Sequence, residues 1–406
     1  MATESVNDWA TDYDIFDPQY VKSPFPIWDE LRETCPVAHS KRWGGSWMPT
    51  RYEDLFNIAR DVQHFSSRNV LVAPAGPPPD EAGAEAAAAF QVGAPPITSD
   101  PPVHTWARRL LLPPFSTKAI ARWEPETREL CRSFIDGFIG KGRADAAADY
   151  AQQIPPRVIA GMLGISKDMA NTFTDWVRGF LEFGLTNADI RGEAARSIFG
   201  FLRERIEERK DRPGDDLISY LLASEVNGRA VPEPHVLGTC FLLLVAGIDT
   251  TWSSIGSALW HLAQHPEDRA RLVADPELMP VAVEELLRAY SPVTMARVVT
   301  EDLEYNGRKI AAGDKVLMSF PAANRDPEKF PDADKVIIDR AENPHIAFGV
   351  GIHRCAGSNL ARMEMRVSIE EWLARIPEYR LEDPDAVTWA GGQVRGPRQM
   401  KVVFPS

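Results

Sequence analysis

Residues 348–357 read FGVGIHRCAG, and this segment says more about the fold than any other part of the chain. Gly349 and Gly351 permit a tight turn and let the backbone approach a flat object closely. Cys355 follows the turn, and Gly357 is predicted to open a helix immediately after it. A helix N-terminus stabilises a nearby thiolate because it offers free backbone N–H groups and a favourable dipole. The segment therefore predicts an anionic cysteine that can bind a metal.

The cysteine content gives no sign of a disulfide framework or a zinc module. The chain has four cysteines, Cys35, Cys131, Cys240 and Cys355, with no CxxC pair and no regular spacing. Such a pattern fits a reducing compartment. A lone cysteine is most often a small buried apolar residue, so the interpretation of Cys355 depends on the rest of the chain.

The overall composition is that of an ordinary globular protein with a core large enough to enclose a cofactor. Of 406 residues, 44% are hydrophobic and 25% are charged. The formal net charge of −13 argues against a nucleic-acid-binding surface. Residues 1–14 do not read as a signal peptide, and the longest apolar run, 240–247, is far shorter than the roughly 20 residues of a membrane span. We expect a soluble cytoplasmic protein that binds neither nucleic acid nor a membrane.

Most of the chain has the hydrophobic periodicity of α-helices. The pattern runs from about residue 103 to 290, and a last helix is predicted from about 357 to 376. The clearest helix lies in residues 241–266, which are apolar on most faces and end at Pro266. This segment predicts a helix in the protein core.

Strand and turn patterns occupy the remaining segments. Residues 39–50 predict a hairpin around Gly44-Gly45 and an amphipathic helix after it, and YNGRKI at 305–310 predicts a turn between strands. Residues 324–348 predict a meander rich in Pro and Asp, and 73–102 a long loop with a short helix near 81–90. With strand-like residues at the C-terminus, the sequence predicts a mainly α fold with a minor β region.

Residues 246–251, AGIDTT, place a carboxyl group and a hydroxyl group in the middle of the predicted core helix. Burying both is costly unless each has a partner or a task. Thr250 can donate a hydrogen bond to the carbonyl of Ala246, four residues earlier, and Gly247 leaves room for a small ligand. The segment indicates a groove in the helix, and the alternative is a helix kink with a solvated Asp249.

Two further pairs of residues have helical spacing. Glu285 and Arg288 can pair across one turn, although most such pairs are surface salt bridges of small effect. His104 and Arg108 lie four residues apart on a predicted helix. By themselves these pairs are most simply read as surface residues.

Taken in their order along the chain, these segments resemble the cytochrome P-450 family, and the resemblance covers nearly the whole chain. It implies a helical prism with a minor β region, in which haem b lies between a long distal helix and a proximal helix. It also implies one domain over residues 1–406. The β-rich lobe would come from about 20–60, 291–340 and 378–406, and the helical lobe from about 100–290 and 341–377.

The resemblance assigns roles to the haem residues by position. Cys355 would be the axial thiolate ligand, which favours O–O cleavage by electron donation from sulfur. The haem propionates would be held by four donor groups, His104, Arg108, Arg297 and His353. Phe348 and Gly357 would complete the haem site. Ala356 stands where Leu is frequent and Val350 where Gly is common, and neither change affects ligation.

The resemblance also assigns the residues around the haem. Asp249 and Thr250 would deliver protons during dioxygen activation. A buried structural clasp would join Glu285, Arg288 and Arg340. The substrate pocket would be lined by Leu242, Val245, Ala246, Val293 and Val394.

The implied activity is a haem-thiolate monooxygenase that inserts one atom of O2 into a hydrophobic small organic substrate. A separate ferredoxin and an NAD(P)H-dependent ferredoxin reductase would supply electrons, since 406 residues leave no room for a fused redox domain. We hypothesise a basic patch that docks an acidic ferredoxin. Its members would be Lys118, Arg122, Arg354, Arg362 and Arg366.

The substrate itself stays open among terpenoid, steroid, fatty-acid, aromatic and macrolide classes. Arg68 or Arg395 could pair with a substrate carboxylate. Four aromatic residues form either an apolar lid or a helix-packing stripe: Phe173, Trp176, Phe180 and Phe183.

Three other functions are compatible with parts of the pattern. The same fold could perform coupling, desaturation or dehydration, or it could be a haem sensor without turnover. The intact Asp249–Thr250 pair argues against a sensor, because ligand binding needs no proton relay. A zinc hydrolase using His104, His353 and Cys355 lacks a matching ligand spacing.

Overall fold

The computed structural model describes residues 5–73 and 93–405. Most of the loop predicted at 73–102, with its short helix near 81–90, lies outside the described residues.

Helices form most of the described chain. The α-helices are α1 (Trp9–Asp12), α2 (Pro18–Lys22), α3 (Phe25–Thr34), α4 (Tyr52–Arg60), α5 (Val103–Leu111), α6 (Thr117–Ala121), α7 (Glu124–Phe138), α8 (Ile154–Met162), α9 (Ala170–Leu181), α10 (Ala188–Asp211), α11 (Leu217–Leu222), α12 (Glu233–Gln264), α13 (Pro266–Ala274), α14 (Met279–Ala289), α15 (Phe320–Ala323) and α16 (Ser358–Arg375). Short 3-10 helices occur at Arg42–Gly44, Ile139–Lys141, Ala151–Gln153, Lys167–Met169, Phe183–Leu185, Pro276–Leu278, Gly351–His353 and Pro384–Ala386, with a π-helix at Ala146–Tyr150.

The strands of the described chain are short. They are β1 (Val37–Ser40), β2 (Ser46–Pro49), β3 (Phe65–Ser66), β4 (Arg143–Asp145), β5 (Glu225–Val226), β6 (Arg229–Ala230), β7 (Thr294–Val299), β8 (Leu303–Tyr305), β9 (Arg308–Ile310), β10 (Lys315–Ser319), β11 (Arg380–Leu381), β12 (Thr388–Ala390), β13 (Gly396–Gln399) and β14 (Lys401–Val403). The prediction of a mainly α fold with a minor β region is confirmed.

The largest sheet has the strand order β1-β2-β10-β7-β3. Its β1–β2 hairpin turns at Gly44-Gly45, and β10 pairs parallel to β2 and antiparallel to β7. This last register places Arg297 opposite Val316. A second sheet has the order β11-β14-β4, and two-stranded pairs join β12 to β13, β5 to β6, and β8 to β9. The hairpins predicted at 39–50 and 305–310 are both present.

Helix α12 is the central element of the core. It contacts α8, α9, α10, α16 and β13. By length and composition it could cross a membrane, but 78% of its most apolar window is buried inside the protein. Its apolar character is therefore that of a core helix. It ends at Gln264, and Pro266 begins the next helix. Helix α12 does not continue through Pro266 because proline has no N–H to donate to the preceding turn.

The predicted clasp is present and anchors the meander. Glu285 and Arg288 are fully buried and form two hydrogen bonds of 2.8 Å, and Arg340 Nε donates to Glu285 Oε2 at 3.0 Å. Arg288 also donates to the carbonyl oxygens of three meander residues, Asn324, Ala333 and Lys335. The clasp thereby fixes a long segment without regular structure, directly before the cysteine loop.

Candidate functional site

A cavity of about 740 Å³ lies between α12 and the cysteine loop. This volume falls within the roughly 300–1,000 Å³ typical of cofactor and ligand sites. Its wall includes the predicted residues His104, Arg108, Leu242, Val245, Ala246, Thr250, Val293, Arg297, Phe348, His353, Cys355, Gly357 and Val394. The structure thus brings these residues together from α5, α12, β7 and the loop. Asp249 is not part of the wall.

Glycines determine the course of the cysteine loop. Gly349 and Gly351 have φ angles of 67° and 76°, which lie in the left-handed region that favours glycine. A Cβ atom on Gly351 would lie 2.9 Å from the carbonyl oxygen of Ala59, so a larger residue there would displace α4. The loop closes with a hydrogen bond of 2.8 Å from the Cys355 N–H to the carbonyl of Phe348.

Cys355 lines the cavity, and its accessible surface faces the cavity while protein surrounds the thiol. Gly357 is the N-cap of α16, so the helix begins where the sequence predicts. Burial raises the pKa of the Cys355 thiol, and the Gly357 N–H and the Arg108 guanidinium oppose this rise. The position before a helix therefore does not by itself produce a thiolate. A bound metal cation would, because a coordinating thiol loses its proton.

Four donor groups cluster in the same cavity. The rings of His104 and His353 lie 4.2 Å apart, and Ser67 Oγ lies 2.9 Å from His353 Nε2. Burial, Arg297, His104 and Arg108 lower the pKa of His353 to about 3. Burial also lowers the pKa of Arg297 to about 10. Within the described chain, neither Arg108 nor Arg297 has a carboxylate within salt-bridge distance.

This cluster and the thiol fit the haem implied by the sequence. Buried cations without anionic partners are unfavourable, and the propionates would provide two carboxylates. Among the residues that the structure describes, the buried Nε2 atom of His104 has no hydrogen-bond partner, which leaves a donor or acceptor for such a group. Cys355 places its thiol in the same cavity, and bound iron would convert this thiol to a thiolate. In the described ranges 5–73 and 93–405, no group of three or more His, Cys, Asp or Glu side chains could hold a metal ion without such a cofactor.

The groove in α12 is formed as the spacing predicts. Thr250 Oγ1 donates a hydrogen bond of 2.7 Å to the carbonyl of Ala246. Ala246, Gly247 and Thr250 all line the cavity. A hydroxyl group, held by the helix backbone, is therefore present beside the cavity.

Asp249 points away from this cavity into a buried chain of charges. Its Oδ1 accepts from Arg398 Nη2 at 2.8 Å and from Ser253 Oγ at 3.1 Å. Arg398 Nε donates to Glu182 Oε2 at 2.9 Å, and Glu182 also pairs with Arg178. Asp249 is therefore neither solvated nor free. Burial raises the pKa of Asp249, and Arg398 opposes the rise.

The chain of charges runs from the core towards solvent. Side-chain exposure increases from 0% at Asp249 to 8% at Arg398, 15% at Glu182 and 29% at Arg178. Sequence reasoning missed Arg398 and Glu182, since single charged residues in β13 and at the end of α9 have no distinctive pattern.

Of the two arginines considered as partners for a substrate carboxylate, one lines the cavity and the other does not. Arg68 lines the cavity, whereas Arg395 is bound to the carbonyls of Val21 and Lys22 and lies outside the wall. The prediction that Arg395 could pair with a substrate carboxylate is therefore wrong.

Only one of the four aromatic residues on and after α9 lines the cavity. This residue is Phe180. Phe173 and Trp176 pack on Phe201, each with ring centroids 5.6 Å apart. Phe183 is 49% exposed. The packing stripe is therefore the better description of this helix.

The predicted basic patch is smaller than expected. Arg362 forms two hydrogen bonds with Glu284, at 2.6 and 2.8 Å, and Arg366 pairs with Glu124 and Glu370. Carboxylates neutralise both arginines, and the sequence does not predict these ion pairs. Lys118, Arg122 and Arg354 are exposed, and within the described residues they form no ion pair.

Comparisons with known proteins agree with this geometry. Residues 146–376 match the family model described as Cytochrome P450. The chain is 34% identical to mycinamicin IV hydroxylase/epoxidase of Micromonospora griseorubida, over 92% of this chain and 94% of the relative. It is 33% identical to vitamin D3 dihydroxylase of Streptomyces griseolus over the full length of both. The solved structure of the polyketide synthase cytochrome P450 PksS of Bacillus subtilis 168 superimposes with a TM-score of 0.86 at 29% identity, covering 97% of this chain and 100% of that one.

Proposed function

The chain belongs to the cytochrome P450 family, and on this premise we propose that Cys355 binds the iron of haem b between α12 and α16. The chain is a haem-thiolate monooxygenase of the bacterial type. The observation that supports the site is that Arg108 and Arg297, which have no carboxylate partner among the described residues, line the same cavity as the thiol. We propose that residues 1–406 form one domain and that the protein works in the cytoplasm.

The residues of the cavity would hold the haem in two ways. Cys355 would supply the axial thiolate, and His104, Arg108, Arg297 and His353 would hold the propionates by charge-assisted hydrogen bonds. The bound haem supplies the oxidising chemistry, in which one atom of O2 enters the substrate and the other leaves as water. The protein contributes orientation, exclusion of water and control of protons.

Thr250 and Asp249 would control protons beside the cavity. The hydroxyl of Thr250 is held by the carbonyl of Ala246, and its lone pairs stay free to accept a further hydrogen bond. Asp249 adjoins it and begins the charged chain through Arg398 and Glu182 to the partly exposed Arg178. The guanidinium groups of this chain do not release protons, so the chain holds the Asp249 carboxyl in place, and this carboxyl itself would exchange protons beside Thr250.

Replacement of Thr250 by alanine is expected to uncouple electron consumption from product formation. Without the hydroxyl, the product formed per reduced nicotinamide consumed should fall by about 10-fold or more, within the range of general acid–base effects. Product and peroxide are measured in the reconstituted system. Ser257→Ala removes a buried hydroxyl from the same helix two turns later and should leave the ratio unchanged. Equal ratios in both variants would exclude a role for Thr250 in proton delivery.

A hydrophobic small molecule is the substrate class that the cavity favours. Phe180, Phe199, Phe241, Leu242 and Val394 supply apolar wall. Two relatives are named mycinamicin IV hydroxylase/epoxidase and vitamin D3 dihydroxylase, and we propose that this chain likewise oxidises an organic molecule of apolar character.

We propose that an acidic ferredoxin, reduced by an NAD(P)H-dependent reductase, docks near Lys118, Arg122 and Arg354. These side chains are exposed, and Arg354 adjoins Cys355. We do not include Arg362 and Arg366 in the patch, because both form ion pairs within the protein.

Reversal of charge at this patch is expected to slow electron transfer. Lys118→Glu with Arg122→Glu should lower the second-order rate constant with the ferredoxin by about 10-fold at low ionic strength. High salt should remove most of the difference. Arg203→Glu, an exposed arginine on α10, is the control and should change the rate little. A double variant that reacts as fast as this control at low salt would refute the docking patch.

A further inference from the structure

One end of the cavity contains a histidine that the reaction described above does not use. His235 lies in the first turn of α12 and lines the cavity. Its ring packs against Trp106 with centroids 4.2 Å apart and an angle of 38° between the ring planes. The Nε2 atom is buried and has no hydrogen-bond partner among residues 5–73 and 93–405. Buried polar atoms in proteins are almost always paired, so an unpaired one in a cavity wall indicates a place for a polar group of a bound molecule.

His235 and Thr250 share one face of α12. Leu242 and Ala246 lie between them on that face, and all four residues line the same cavity, as the helical spacing requires. Thr250 follows His235 by 15 residues, which corresponds to about 22 Å along the helix axis. The cavity is therefore elongated along α12, with an apolar stretch between a histidine and a threonine.

The histidine is suited to an uncharged partner. Burial lowers its pKa to about 4, so the ring is neutral near pH 7. A neutral imidazole carries one donor and one acceptor, which suits a hydroxyl or carbonyl group and gives no Coulombic preference for a carboxylate.

We propose that His235 hydrogen-bonds a hydroxyl or carbonyl group at one end of an elongated apolar substrate, and that the other end is oxidised near Thr250. This inference rests on the monooxygenase function proposed above. It names the substrate class more narrowly: a long apolar molecule with an uncharged polar group at the end opposite the oxidised one.

The test compares two probes that differ only in the polar group, hexadecan-1-ol and hexadecane. Binding is measured by equilibrium dialysis of the holoenzyme, which does not depend on turnover. His235→Phe keeps a ring against Trp106 but removes the hydrogen bond. It should weaken binding of the alcohol by about 5- to 10-fold, the value of one hydrogen bond, and change binding of hexadecane less than 2-fold. His235→Gln should restore part of the alcohol affinity.

The chain offers a matched control. His39 packs against Trp47 with ring centroids 4.3 Å apart, outside the cavity wall, and His39→Phe should change neither affinity. Equal weakening of both probes by His235→Phe, no weakening of the alcohol, or no binding of either probe to the wild type would overturn the proposal. The reduced carbon-monoxide spectrum of the same samples reports separately on the proposed function. A normal spectrum with unaltered alcohol affinity in His235→Phe would refute only the role of His235.

Discussion

Arg288→Ala is expected to destabilise the protein by about 3–5 kcal/mol, the usual result of removing one partner of a buried ion pair. Arg288 is fully buried and donates five hydrogen bonds, two to Glu285 and three to carbonyl oxygens of the meander. Alanine would leave these acceptors without that donor in a dry interior. Since domains are stable by only about 5–15 kcal/mol, the variant should show a much lower urea midpoint and poor haem incorporation.

A surface arginine provides the matched control for this prediction. Arg271 pairs with Asp339 at 2.5 Å, and both side chains are about half exposed, at 47% and 48%. Arg271→Ala should cost only about 0–1 kcal/mol. If both variants unfold at the same urea concentration, the clasp does not stabilise the fold as its geometry requires.

Cys355→Ala is expected to abolish monooxygenase activity. The thiol lines the cavity and is exposed to it, so its loss removes little packing, but it removes the proposed axial ligand. Product formation should fall to background while the unfolding midpoint of the haem-free protein changes little. Cys35→Ala, at a partly exposed cysteine outside the cavity wall, should retain activity. A Cys355→Ala enzyme with substantial turnover would contradict the assignment of the ligand.

Much of the structure follows from local patterns in the sequence. The start of α16 at the cysteine loop, the end of α12 before Pro266 and the Thr250–Ala246 hydrogen bond all depend on residues within a few positions of one another. The sequence predicts a start at residue 241 for α12, whereas the helix begins at Glu233 and includes Pro234 in its first turn. Proline is tolerated there because those N–H groups need no partner in the helix.

The contacts that could not be predicted join residues distant in sequence. Arg398 and Asp249 are 149 positions apart, and Arg362 and Glu284 are 78 apart. No periodicity links such pairs, so Asp249 was predicted without its partner and Arg362 as an exposed cation. His235 was missed for a related reason, because only the folded chain shows that it shares a cavity with Thr250.

The most direct test of the account is the absorption spectrum of the reduced, carbon-monoxide-bound protein. A haem with a thiolate axial ligand gives a strongly red-shifted Soret band, because the sulfur donates electron density to the iron. We predict this band in the wild type and in Cys35→Ala, and its absence in Cys355→Ala. A wild type that binds haem without the shifted band, or a Cys355→Ala variant that keeps it, would contradict the assignment of Cys355 as the haem ligand.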